Sequence, residues 1–147
     1  MSYLVFGPDW TAAYAVALAE SEAYRKAAQT WEGSIVLEMT AGAAESGSAV
    51  FLDLWHGECR AARVASDTDR ESADFVIRAT IETWKKVLAS ELDPIFGLMT
   101  GKLGLARGKL AQLVPYAAAS KELVAAATRL DSVFPTVFPS EESNDGT

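Results

Sequence analysis

The chain has 147 residues and a net charge of −7, with 13 basic against 20 acidic residues, and half of its residues are hydrophobic. That length suits one domain able to bury its own core, in an otherwise ordinary globular composition. Its few, scattered basic residues argue against a nucleic-acid binder, which needs clustered Lys and Arg to displace phosphate counterions, and against electrostatic docking to anionic lipid.

The first predicted element is a helix. Gly7-Pro8-Asp9-Trp10 is a start signal, because Pro8 suits a first turn and Asp9 favours the positive end of the helix dipole. Trp10, Tyr14, Ala17, Ser21, Tyr24, Ala28 and Trp31 keep to one helical face. Thr11 to Ala19 carries no charge, so that half should be covered on most sides. Gly33 is read as the helix end.

From there the period changes to two. Ile35, Leu37 and Met39 alternate with Ser34, Val36, Glu38 and Thr40, the pattern of a half-buried strand. A small-residue turn is expected over Ala41 to Ser48, then a second strand over Ala49 to Trp55 with Val50, Leu52 and Leu54 on one face. His56-Gly57 makes a hairpin turn into a third strand over Cys59 to Ala65. Asp67 to Glu71 reads as a solvated connection, and Asp74 to Ala79 as a fourth strand.

Thr80 caps a short helix bearing Ile81, Trp84, Val87 and Leu88. Asp93-Pro94 starts another through Ile95, Phe96, Leu98 and Met99, stopped by Gly101. A brief fifth strand is expected over Leu103 to Arg107, where Gly104 and Gly108 allow close approach to neighbours. Leu110 to Leu130 reads as one long alanine-rich helix, with Pro115 a point of kink or restart. The order predicts an α+β fold: a five-stranded, mostly antiparallel twisted sheet covered on one face by helices. One domain is expected over residues 1–139, with a disordered acidic tail from Ser140 to Thr147.

Three stretches resemble the sterol carrier protein (sterol-binding domain) family in its short stand-alone prokaryotic form. They are Gly7-Pro8-Asp9-Trp10, Trp31-Glu32-Gly33 before the alternating strand, and Thr83-Trp84-Lys85-Lys86-Val87-Leu88 running through Leu92-Asp93-Pro94, Gly101-Lys102-Leu103 and Gly108. The resemblance spans about Asp9 to Leu130. One departure is that Ser90-Glu91 stands where the family usually has Gly-Lys, so a differently shaped turn is expected there. The resemblance implies an apolar tunnel between sheet and helices for acyl chains, sterols or similar lipids, without catalysis, cofactor or metal.

Templates for catalysis lack required residues. Ala44-Glu45-Ser46-Gly47 is no nucleophile elbow, and His56, the one histidine, falls in a turn. Asp67, Asp69 and Glu71 lack the glycine and distal Glu of a calcium loop. Gly97 to Lys102 is too short for a phosphate loop and has no Ser or Thr after the lysine. Cys59, the single cysteine, allows no intrachain disulfide. With no leader-like start and no apolar run of transmembrane length, a cytoplasmic protein without stable membrane insertion is expected.

The lining set expected for the tunnel is Trp10, Tyr14, Leu37, Met39, Trp84, Phe96, Met99 and Tyr116. Tyr14, Tyr116 and the indole N–H groups could supply its few polar contacts. A second reading makes the uncharged first helix, through Ala12, Ala15 and Ala19, a homodimer or partner surface. A third, an enzyme using Glu38 or Asp53, is disfavoured because both alternate onto the polar side of their strands.

Overall fold

The computed structural model describes residues 2–40 and 49–134. The turn expected over Ala41 to Ser48 and the acidic tail from Ser140 lie outside the described residues. Three strands follow one another as a meander: β2 (Glu32–Met39), β3 (Ala49–Trp55) and β4 (Glu58–Val64). After the short helix α3 (Asp67–Ser72), β5 (Phe75–Ala79) returns beside β2 and β6 (Gly104–Arg107) pairs with β5. The sheet order is β4-β3-β2-β5-β6, antiparallel throughout except for the β2–β5 pair. The α+β class and the mostly antiparallel five-stranded sheet therefore stand as read.

The alternation of β2 and β3 sets the register. Ile35 lies opposite Leu52 and Phe75, and Leu37 opposite Val50 and Ile77, so these side chains share one face. The layer over that face is α1 (Pro8–Ala19), α2 (Glu22–Ala27), α4 (Ile81–Leu88), α5 (Pro94–Met99), α6 (Leu110–Leu113) and α7 (Ala117–Ala127). Helix α1 runs against the edge strand β4, where the small Ala17 and Ala62 join one core and permit close approach. Helix α7 touches α1, α2, α4 and α5, tying the layer together.

Several boundaries differ from the sequence reading. The first helical stripe is broken at Glu20, and Ser21 caps α2 by accepting a hydrogen bond from the Tyr24 amide at 3.1 Å. All the large stripe residues are nonetheless buried, Trp10, Tyr14, Tyr24 and Trp31 among them. Gly33 does not end a helix but sits inside β2, after the Ala28 cap. The long C-terminal helix is three pieces, α6, a 3₁₀ turn over Val114–Tyr116 and α7, because Pro115 has no N–H to continue the ladder. A parallel pair of three-residue strands, β1 (Ser2–Leu4) and β7 (Asp131–Val133), joins the two ends of the described chain.

Asp67 to Glu71 is largely solvated, as read, but it is a helix and not a turn. It forms most of α3, whose start is a capping box: the Ser66 hydroxyl accepts from the Asp69 amide at 3.1 Å and the Asp69 carboxylate from the Ser66 amide at 3.0 Å. Arg63 donates to the same carboxylate at 2.7 and 3.1 Å, holding it down to about 2, below the usual carboxylate range. Around α3, Val36, Ala49, Ala65, Ala73 and Val76 form a small core on the reverse face of the sheet. Val36, read as lying on the polar side of its strand, is fully buried there. At the far end, Gly108 takes φ +96 against Phe75, whose ring would meet an added Cβ at 2.3 Å, so only glycine fits. Gly104 has ordinary room and no such need.

Candidate functional site: an apolar cavity

A cavity of about 80 Å³ lies between the sheet and the helical layer. Its floor is Ile35, Leu37, Leu52 and Ile77 from the sheet. Its walls are Trp10 and Tyr14 of α1, Trp84, Val87 and Leu88 of α4, and Ile95 and Leu98 of α5; Leu123, Val124 and Ala127 of α7 close it from above. Ser120 adds one hydroxyl, and among the described residues no charged side chain lines the space.

The aromatic wall, which Phe6 also joins, is held by ring contacts and hydrogen bonds. Trp10 stacks on Tyr14 at 4.9 Å, and Phe6 meets Trp10 and Trp84 edge-on at 5.5 and 5.4 Å. Each polar tip already has a partner. The Trp10 indole donates to the Ser132 hydroxyl at 3.0 Å, the Tyr14 hydroxyl to the Leu123 carbonyl at 2.8 Å, and the Trp84 indole to the Glu38 carbonyl at 3.0 Å. Burial pushes the Tyr14 phenol up, with Tyr24 and Cys59 adding to the shift, so it stays neutral. These groups, expected to offer polar contacts to a ligand, are committed to the protein, and the chamber presents carbon.

Of the expected lining residues, Trp10, Tyr14, Leu37 and Trp84 are brought together on the cavity. Met39 is buried in the core but off its wall. Phe96 and Met99 point outward, 55% and 63% exposed, because on one turn of helix their neighbours Ile95 and Leu98 take the inner side. Tyr116 stands at an adjoining space beside Trp31. The residues missed include Phe6 and many plain aliphatic ones, among them Ile35, Leu52, Ile77, Leu123 and Val124; the two-residue alternation of the strands was the signal for Ile35, Leu52 and Ile77.

The other chemical groups are placed where they hold structure. Glu38 accepts from Arg78 at 3.2 Å and Asp53 from Arg60 at 3.1 Å, both away from the cavity. His56 lies in the hairpin turn, half exposed, 2.6 Å from Glu32 and stacked on Trp55. Burial raises the Cys59 thiol to about 11, so it is not a thiolate at neutral pH. Ser90 adopts φ +62, the left-handed backbone that glycine takes without strain. Among the described residues no helix is long and apolar enough to cross a membrane.

A helical layer over one face of a five-stranded sheet, with an uncharged chamber between them, defines a small α+β domain built around an internal apolar space. The chain belongs to the SCP-2 sterol transfer family, whose model matches residues 15–106. It is similar to a crystal structure of sterol carrier protein 2, with 45% identity over 86% of this chain and 98% of that one, at a TM-score of 0.76. The solution structure of a conserved hypothetical protein from Thermus thermophilus is 44% identical, covers 90% of this chain and 94% of its own, and has a TM-score of 0.77. Sterol carrier protein 2 from Yarrowia lipolytica in its apo form, 14% identical with a TM-score of 0.54 over 85% of this chain and 98% of its own, shares the fold. A search of curated proteins finds no match.

Proposed function

We propose that the protein binds, and carries within the cell, an apolar ligand whose chain lies in the cavity between sheet and helices, without catalysing a reaction on it. The observation that carries this reading is the chemistry of the wall: nineteen lining residues of which none is charged, with the polar atoms of Trp10, Tyr14 and Trp84 already bonded to protein. Such a surface offers a polar substrate one hydroxyl, Ser120, with no acid or base on the wall to activate it. Family membership points the same way.

The energetics fit a long chain. Each buried methylene contributes about 0.8 kcal/mol, so about ten would supply the ~8 kcal/mol of micromolar binding before ordering costs. At about 80 Å³ the cavity is well below the ~300 Å³ of a small ligand pocket, so a wall must move to take up such a chain. Helix α5 is suited to this. It has six residues, ends beside Gly101 at φ +81, and turns Phe96 and Met99 to solvent. Extraction of the purified protein for mass spectrometry should release an apolar compound, and pyrene-labelled long-chain alcohol or acid should be taken up. An empty extract together with no uptake of either probe would remove the reading.

A second reading has one observation in its favour. Val16 is 57% exposed on α1, with Ala12 and Ala19 exposed beside it, which would suit a second copy of the chain. Light scattering at high concentration decides: a monomer throughout would discard it.

A further inference from the structure

Helix α5 is apolar on its outer side as well as its inner one. Ile95 and Leu98 face the cavity, while Phe96 and Met99, three residues apart on the same side of the helix, are exposed. Helices α6 and α7 pack against α5, and Val114, between them in the chain, is exposed as well. Large apolar side chains exposed singly are ordinary, but neighbours on one short helix make a patch of the kind that takes a partner.

The charge around this patch runs against the rest of the molecule. In a chain of net charge −7, residues 94–121 hold four basic residues, Lys102, Arg107, Lys109 and Lys121, and no acidic one. Arg107 donates to the Glu71 carbonyl beside α3. The three lysines are exposed and make no ion pair with a described residue. Of the acids that flank the segment, Asp93 caps α5 by accepting from the Phe96 amide at 3.0 Å, which leaves Glu91 and Glu122 at the borders. A partner for this surface is therefore apolar and acidic together.

Such a partner lies in the same chain. Residues 135–147 follow the last described residue, Phe134. Their large apolar side chains are Val137 and Phe138, and their charged ones are Glu141, Glu142 and Asp145, with no base among them. The described domain ends beside the right helices. Phe134 packs on the main core, and the Lys85 ammonium of α4 lies 5.8 Å from the centre of its ring. The Lys86 carbonyl, next along α4, accepts from the Glu91 and Leu92 amides at 2.8 and 3.2 Å, which turns the chain directly into α5. At about 3.4 Å per residue, Val137 and Phe138 reach roughly 10–14 Å from Phe134, against about 9 Å for the whole length of α5.

We propose that residues 135–147 dock on α5 as an intramolecular strap, with Val137 and Phe138 against Phe96 and Met99 and the acidic residues beside the lysines that follow the helix. A thioether against an aromatic ring is a favourable contact. Tethering gives the segment an effective concentration of about a millimolar, so a weak contact is enough to hold it. The strap slows the opening of the wall that must move for the cavity to fill, whatever the cavity holds.

The test is NMR of the full chain with ¹³C-methyl methionine, which gives one signal each for Met1, Met39 and Met99. The Met99 methyl should show NOEs to the Phe138 ring. It should shift in the same direction in two variants, Val137→Ser/Phe138→Ser and Glu141→Gln/Glu142→Gln/Asp145→Asn, while the buried Met39 methyl stays in place as a check on the fold. The α5 amides should exchange with solvent several-fold faster in both, and molar salt should move Met99 of the natural chain toward the variant position. A Met99 methyl with no NOE to Phe138 and no response to either variant would overturn the proposal. So would a Met99 signal that ignores the variants but moves with protein concentration, which assigns the patch to a second copy, or with phosphatidylglycerol vesicles, which assigns it to an anionic lipid surface.

Discussion

The sheet carries a core on each face, and the two are finished by opposite means. On the reverse face, Val36, Val76 and three alanines fill a small space under α3, a helix with no apolar residue in Asp67–Ser72. Polar contacts fasten it: the Ser66–Asp69 capping box and Arg63, whose guanidinium also lies 4.4 Å over the Phe51 ring. On the helix-covered face, large rings stand around the margin, and Leu123, Val124 and Ala127 of α7 cover a middle that is left as a cavity. One face is closed tightly by polar clamps, while the other is apolar throughout and left partly unfilled. A packed core gives stability, and an underfilled one gives room.

Removing a rim aromatic should have the largest effect. Trp10 is 1% exposed and contacts Phe6, Tyr14 and Ser132, so Trp10→Ala should cost about 3–5 kcal/mol in urea unfolding. A loss under about 1 kcal/mol would mean that the rim does not hold the helical layer.

On the reverse face, Asp69→Ala removes a cap and the Arg63 pair together and should cost about 2–3 kcal/mol. Because the folded carboxylate is depressed, the stability it adds is complete above about pH 4 and is lost as pH falls through about 2. Unfolding curves between those values should show the loss in the natural protein and lack that component in Asp69→Asn.

Adding volume to each face compares them directly. Val36→Phe should overpack the reverse core and cost about 1–3 kcal/mol, whereas Leu37→Phe, one residue along β2, should cost less than about 1 kcal/mol because the cavity accepts the ring. The same Leu37→Phe change should weaken uptake of a long-chain probe. Equal costs on both faces would erase the distinction. A gain in place of a loss is expected at the α4–α5 turn, where Ser90→Gly should raise stability by about 1 kcal/mol by relieving φ +62; no gain would mean the serine is unstrained.

The strands and their facing were legible because alternation in β2 and β3 is a strong local signal, and the His56-Gly57 turn joins β3 to β4 as read. Helix α3 was missed because six polar residues have no apolar period; the usable signal was Ser66 three residues before Asp69, a capping-box spacing. The β1–β7 pair was illegible, since Ser2 and Asp131 meet across the whole domain through only three residues a side. At the site, the aromatic half of the wall could be read from Trp10, Tyr14 and Trp84. Helix α5 could not be oriented, because Pro94–Met99 has no polar side chain to mark its wet face, so Phe96 and Met99 were taken for the inward residues in place of Ile95 and Leu98.

The most direct test of the cavity as the ligand's place is an isotope-filtered NMR experiment with a ¹³C-labelled twelve-carbon chain and methyl-labelled protein. The account predicts intermolecular NOEs from the chain to the methyls of Leu37, Ile77, Leu123 and Val124. NOEs confined to Met99 on the exposed side of α5, with none to those four, would contradict it.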